Sequence, residues 1–199
     1  MDSAVVILAG GQGQRIGGAK SGRLLCGRTL LDRAIEIARR WSPRPALCLR
    51  SRDQIAACPI EVIVDDPDLE GPLGGLAAAL RFARERTLER LLTLPCDAPF
   101  LPNDLLARLG SALDGNNAAV PSMRGQLHPA CALWSTRALD ALPAYAASGR
   151  RSLHGFAEHV GYIEVPWPEG ANDPFFNINT EEDLARAETL LAKQGQAGA

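Results

Sequence analysis

Ala4-Val5-Val6-Ile7-Leu8 runs without a break into Ala9-Gly10-Gly11-Gln12-Gly13-Gln14-Arg15-Ile16-Gly17-Gly18-Ala19-Lys20, and this junction decides the fold class. The first five residues are apolar with no polar alternation, which predicts a short strand buried on both faces of a parallel sheet. Residues 9–23 then carry six glycines, Gly10, Gly11, Gly13, Gly17, Gly18 and Gly22, with too few apolar side chains for a helix. The expected structure is a long loop at the carboxyl end of the strand. Glycines let backbone amides come close to an anion, and Arg15 and Lys20 add fixed positive charge, so a phosphate-binding loop is one reading and a solvated surface loop the other. A Walker A loop is excluded, because Ala19 stands between Gly18 and Lys20 and brings the lysine one residue late. A dinucleotide fingerprint is excluded as well: Ile16 occupies the position of its third glycine, and no helical pattern begins before Thr29.

Working outward, Leu30, Leu31, Ala34, Ile35, Ala38 and Trp41 recur at helical spacing and predict an amphipathic helix that stops before Pro43. Ala46 to Leu49, Glu61 to Val64 and Leu91 to Leu94 read as strands, with a helix from about Leu76 to Arg84 between the last two and another from an Asn103 N-cap through Leu109. In the second half Ala118 to Pro121, Pro129 to Trp134 and Tyr162 to Val165 read as strands, and Thr136 to Tyr145 and Arg151 to His159 as helices. Thr180 followed by Glu181, Glu182 and Asp183 marks a capped final helix, with Leu184, Ala187 and Leu191 as its buried stripe. Alternation of strand and helix predicts a single α/β domain. Its architecture is a Rossmann-like three-layer α/β/α sandwich on a mostly parallel sheet, with ligands at the carboxyl ends of the strands. The domain is expected to span residues 1–194, with 195–199 as a flexible tail.

Composition narrows the class. A formal net charge of −2 gives no basic surface of the kind nucleic acid requires, so no nucleic-acid partner is expected. No apolar run approaches the roughly 20 residues that span a bilayer, and Met1-Asp2-Ser3 does not open a signal peptide, so a cytoplasmic protein without membrane association is expected. The five cysteines are scattered without C-x-x-C spacing, which argues against a zinc site or a disulfide framework and suits small buried hydrophobes.

The chemistry-bearing residues lie in the loops. Asp97 follows the Leu91 to Leu94 strand within Pro95-Cys96-Asp97-Ala98-Pro99, where the prolines stiffen the turn that presents its carboxylate. A carboxylate presented at the ligand-facing rim of the sheet can hold Mg²⁺, which takes one or two carboxylates and otherwise keeps water, so Asp97 is the candidate metal ligand; an Asp capping its own turn is the alternative. Asp65-Asp66-Pro67 and Gly71-Pro72-Leu73-Gly74-Gly75 follow the Glu61 to Val64 strand. In Phe176-Asn177-Ile178-Asn179-Thr180, alternation puts Asn177 and Asn179 on one side of an extended segment, and capping of the last helix is their competing role.

These residues together resemble the molybdenum cofactor guanylyltransferases, within the glycosyltransferase-A-like nucleotidyltransferases. Leu8-Ala9-Gly10-Gly11, Arg15-Ile16-Gly17-Gly18 and Lys20 are similar to the family's L-A-G-G-x-x-x-R-[MF]-G-G-x-K signature, and Pro95 to Pro99 to its P-x-D-x-P turn. The resemblance spans roughly Ala4 to Leu191. It implies a nucleotide site of Leu8, Ala9, Gly10, Gly11, Lys20, Asp66, Gly71, Pro72, Gly74 and Asp97, with Arg15, Lys20 and Asp97 as the catalytic groups and Mg²⁺ on Asp97. His128, in the family's H-P position, and Asn177 and Asn179 fall on the acceptor side. The implied reaction moves GMP from GTP to the phosphate of molybdopterin, releases pyrophosphate, and entails contact with enzymes that make or receive the cofactor. Three departures stand out: Ser21-Gly22-Arg23 replaces a small-Leu-Leu segment, Glu181 replaces a proline, and Arg50 stands where Asn is frequent. A cytidylyl- or sugar-phosphate nucleotidyltransferase and a non-catalytic nucleotide-binding module are the competing functions.

Overall fold

A strand forms where the first apolar run requires one: β1 (Ser3–Leu8) has Ala4 through Ile7 buried. The computed structural model describes residues 2–10, 22–170 and 172–197. Past the glycine loop, β2 (Leu24–Leu25) and β3 (Arg28–Thr29) form a small antiparallel hairpin that the sequence pattern does not reveal. Its two-residue turn has positive φ at both Cys26 (49°) and Gly27 (76°), the backbone of a type I′ turn, with Cys where Asn or Asp usually advertises it. Thr29 caps α1 (Leu30–Arg39) by accepting the Asp32 amide at 3.0 Å.

The next elements are β4 (Ala46–Leu49), β5 (Glu61–Val64), α2 (Pro72–Glu85), β6 (Arg90–Pro95) and α3 (Leu105–Ala112). The remainder comprises β7 (Ala118–Met123), β8 (Gln126–Leu127), β9 (Leu133–Ser135), α4 (Leu142–Ala147), α5 (Leu153–Val160), β10 (Tyr162–Pro166) and α6 (Glu181–Ala197). The main sheet runs in the order β10-β7-β9-β6-β1-β4-β5, with β8 paired to β7. β1 is parallel to both β4 and β6, and β4 to β5, whereas β9 lies antiparallel between β6 and β7. Side-chain alternation divides the core into two layers. Val5, Ile7, Leu47 and Leu92 pack with α1, α3 and α6 on one face; Val6, Ala46, Cys48 and Leu91 pack with α2, α4 and α5 on the other. The three-layer, mostly parallel sandwich is as expected.

Several local expectations needed correction. α2 begins at Pro72 rather than near Leu76. Gly71 supplies a φ of 66° at its N-cap and Pro72 takes the first helical position, while Gly74 and Gly75, poor helix formers, are held in the first turn by what packs against them. Asn103 does not cap α3, because its side-chain oxygen accepts from Arg40 at 2.7 Å and its carbonyl from the Trp41 indole at 3.0 Å; the helix starts after Asp104. Pro129–Cys131 forms a 3₁₀ turn instead of strand, leaving only Leu133–Ser135 paired. Thr136–Ala141 is likewise 3₁₀ before α4. α6 continues to Ala197, into the stretch expected to be a tail. Among the described residues no helix is long and apolar enough to cross a membrane.

Candidate active site

The parallel strands β5-β4-β1-β6 end along one rim, and the chain leaves β1 toward β4 but leaves β6 toward β7 on the other side. Opposed connections open a crevice between the carboxyl ends of β1 and β6, where ligands bind in open α/β sheets. The register pairs Leu8 with Pro95, and the Cys96 amide donates to the Leu8 carbonyl at 3.2 Å. Asp97 is therefore set beside the point where Ala9 and Gly10 open the glycine loop. Gly11, Arg15 and Lys20 lie outside the described residues.

A cavity of about 750 Å³, in the size range of small-ligand sites, extends from this crevice over β4 and β5. Of the expected nucleotide-site residues, Leu8, Gly10, Asp66, Gly71 and Pro72 line it. Ala9, Gly74 and Asp97 do not. Ala9 is tied to β4 through its amide on the Cys48 carbonyl at 2.9 Å. Gly74 is a packing residue: a Cβ there would stand 2.9 Å from the carbonyl oxygens of both Asp66 and Leu69.

The two neighbouring aspartates have different roles. Asp66 is 7% exposed; one carboxylate oxygen is ion-paired with Arg81 at 2.5 Å, and the other accepts the Asp68 amide at 2.9 Å. Its carboxylate braces the loop against α2. Asp65, which sequence reasoning passed over, is half-buried and packed so closely under the glycine loop that a Cβ on Gly10 would lie 2.4 Å from its Oδ2. The Cys48 thiol donates to Asp65 Oδ1 at 3.1 Å; burial, then this bond and the nearby charge, push the thiol well above the usual range. Asp65 and Asp66 are adjacent in sequence, so only packing distinguishes the carboxylate under Gly10 from the brace.

On the far side of Asp97 the chain returns after β10. Asp97 accepts the Ile178 amide on its main-chain oxygen at 2.9 Å, which brings Asn177 against the same turn, with its side-chain oxygen buried and unpartnered. Asn179 is exposed, and its amide and that of Thr180 each donate to Asp183 at 2.9 Å while Thr180 accepts the Asp183 amide at 3.0 Å. Asn179 thus participates in the helix cap, whereas Asn177 keeps a free acceptor. His128 stacks on Phe175 with ring centroids 4.6 Å apart, and its Nε2 is also buried without a partner. Burial holds the imidazole below its ordinary pKa, against the opposing charge of Asp173, so the ring is neutral near pH 7. Burial, and then the charges of Asp97 and Asp173, push the Cys131 thiol well above its usual range.

Residues 5–160 match the family model described as the MobA-like NTP transferase domain. A molybdenum cofactor guanylyltransferase of Cereibacter sphaeroides is 38% identical over 192 residues, covering 94% of this chain and 96% of that protein. This chain belongs to the molybdenum cofactor guanylyltransferase family. A family member from Acidiphilium cryptum is 41% identical over 187 residues, with 92% of each chain covered. The structure is similar to that of molybdopterin-guanine dinucleotide biosynthesis protein A from Archaeoglobus fulgidus, with a TM-score of 0.77 and 27% identity over 96% of this chain and 99% of the other. The chain is accordingly a nucleotidyltransferase.

Against this family, two of the sequence departures explain each other. Arg23, where the glycine loop rejoins the fold, is ion-paired with Glu181 at the first position of α6. A charged pair thus joins two positions that are apolar or proline in the family pattern. Arg50, the third departure, follows β4 and lines the cavity.

Proposed function

We propose that the chain transfers the GMP moiety of GTP to the terminal phosphate of molybdopterin, giving the guanine dinucleotide form of the cofactor and pyrophosphate. The observation that carries this reading is the arrangement of the crevice. Leu8 and Gly10 line a nucleotide-sized cavity over β4 and β5, the Leu8 carbonyl is bonded to the turn that carries Asp97, and the same turn holds Ile178, next to Asn177 with its buried, unpartnered oxygen. In the transfer, an oxygen of the acceptor phosphate forms a bond to the α phosphorus while the bond from that phosphorus to the α–β bridging oxygen breaks. The acceptor is already an anion, so no side chain need act as nucleophile; the protein's task is in-line positioning and charge neutralisation.

The donor set suits a metal carried mainly by substrate. Among the described residues no three His, Cys, Asp or Glu side chains are grouped to hold an ion. Mg²⁺ nevertheless takes one or two carboxylates and completes its shell with water and phosphate oxygens, and the orphaned Asn177 oxygen next to Asp97 is an acceptor suited to that shell. In this reading Asp97 would hold Mg²⁺, which would supply charge neutralisation for the phosphates when bound. Lys20 and Arg15 add positive charge from the glycine loop, and Leu8, Gly10, Gly71 and Pro72 shape the nucleotide side. His128, neutral, and Asn177 orient the acceptor.

Thermal shift and turnover test the reading together. GTP with Mg²⁺ should raise the melting temperature more than CTP, UTP or ATP at equal concentration, because only a ligand of the native state stabilises it. Label on the α phosphate of GTP should appear in a molybdopterin dinucleotide. Preferential stabilisation by CTP, with label transferred from CTP, would move the chain to the cytidylyltransferases.

A further inference from the structure

We infer that Arg50 is the residue by which this chain reads the O6/N7 edge of guanine; the inference rests on the GTP site proposed above. Leu49, which ends β4, pairs with Val64, which ends β5, and the Asp65 amide donates to the Leu49 carbonyl at 2.8 Å. Arg50 and Asp65 therefore leave the sheet side by side into the same cavity.

Arg50 shares that cavity with three carboxylates, yet among the described residues it makes no ion pair or hydrogen bond. Each carboxylate is engaged elsewhere on at least one oxygen. Asp66 is held by Arg81, and Glu70 by Arg151 at 2.7 Å, a pairing that lowers the Glu70 pKa. Asp65 is turned toward the Cys48 thiol and packed under Gly10. Residues 11–21 contain no Asp or Glu, so the glycine loop has no carboxylate for Arg50 either. An exposed guanidinium with all neighbouring acids occupied is left to face whatever enters the cavity.

A guanidinium presents two parallel N–H donors, and guanine presents two acceptors, O6 and N7, along one edge, so the two match as a bidentate pair. Adenine places an amino donor where guanine has O6, and a pyrimidine lacks the second acceptor. Arg50 thus favours guanine over every other base by hydrogen bonding, whereas an Asn there presents one donor group and one acceptor.

The test is direct titration of the full chain with GTP, 7-deaza-GTP (which lacks N7) and ATP, each with Mg²⁺, by calorimetry. Wild type should bind GTP more tightly than 7-deaza-GTP by about tenfold, the scale of one bidentate contact. Arg50→Ala should bring GTP down to the level of 7-deaza-GTP and narrow the gap to ATP. Arg50→Lys should keep general affinity but lose the N7 dependence, since an ammonium lacks the fork. If Arg50→Ala instead weakens all three ligands by one common factor, the side chain contacts phosphate and the inference falls. If it changes nothing, Arg50 is solvated and the inference falls as well. A wild type that binds GTP no better than ATP overturns the GTP site itself, an outcome distinguishable because it precedes any variant.

Discussion

Gly74→Ala and Gly110→Ala are the same chemical change inside a helix, and the structure predicts opposite signs for them. In a helix interior, Gly to Ala gains about 1 kcal/mol from reduced backbone freedom in the unfolded chain. At Gly110, in α3, a Cβ meets only the tip of Arg90 at 3.6 Å, an ordinary contact, so this gain should be realised. At Gly74, in the first turn of α2, a Cβ would be 2.9 Å from two carbonyl oxygens, those of Asp66 and Leu69. Both are backbone atoms of the loop that α2 braces, and the Asp66 amide is itself bonded to the Gly74 carbonyl at 3.1 Å, so neither can turn aside without moving the loop. Overpacking of this kind costs about 1–3 kcal/mol, and contacts to two fixed atoms place it at the upper end. The net expectation is a loss of about 1–2 kcal/mol for Gly74→Ala. In a protein of this size that is a fall of about 2–8 °C in melting temperature, against a rise of about 2–4 °C for Gly110→Ala. Because the displaced loop carries Asp66 and Gly71, Gly74→Ala should also weaken GTP binding, while Gly110→Ala should not. Differential scanning calorimetry with a GTP titration of each variant measures both. A Gly74→Ala protein as stable as wild type, with unchanged GTP affinity, would refute the argument that this glycine exists for close packing.

Two further outcomes follow from the acceptor side. Asp97→Asn keeps the main-chain carbonyl that accepts from Ile178 and the shape of the side chain while removing its charge, so turnover should fall on the order of 10²-fold; near-normal turnover would place the metal elsewhere. His128 is held below its ordinary pKa by burial, so on acidification through about pH 6.5 the unfolded chain takes up its proton first and stability falls. Urea midpoints measured from pH 7.5 to 5 should therefore decline less steeply in His128→Gln than in wild type; the exposed His154 and His159 are common to both and cancel. Superimposable profiles would show that the imidazole is not buried neutral.

The sequence by itself determined the features set by local pattern. The unbroken apolar run at Ala4 to Leu8 was enough to predict a doubly buried strand, and the strand–helix alternation to predict a layered α/β sheet. Motif spacing likewise argued against the Walker and dinucleotide loops and singled out Asp97 in its proline-bounded turn as the candidate metal ligand. Tertiary structure decided what depends on neighbours distant in sequence. Asp65 and Asp66 are indistinguishable as letters, and only the positions of Arg81, Cys48 and Gly10 turn one carboxylate into a brace and leave the other under the glycine loop. Asn103 has the side chain of a good N-cap, yet Arg40 and Trp41 compete for its oxygens and win. Arg23 and Glu181 look like separate irregularities until the fold pairs them. In each case a polar group has several possible partners of similar strength, each hydrogen bond contributing only about 1 kcal/mol net, so packing rather than residue type selects which one forms.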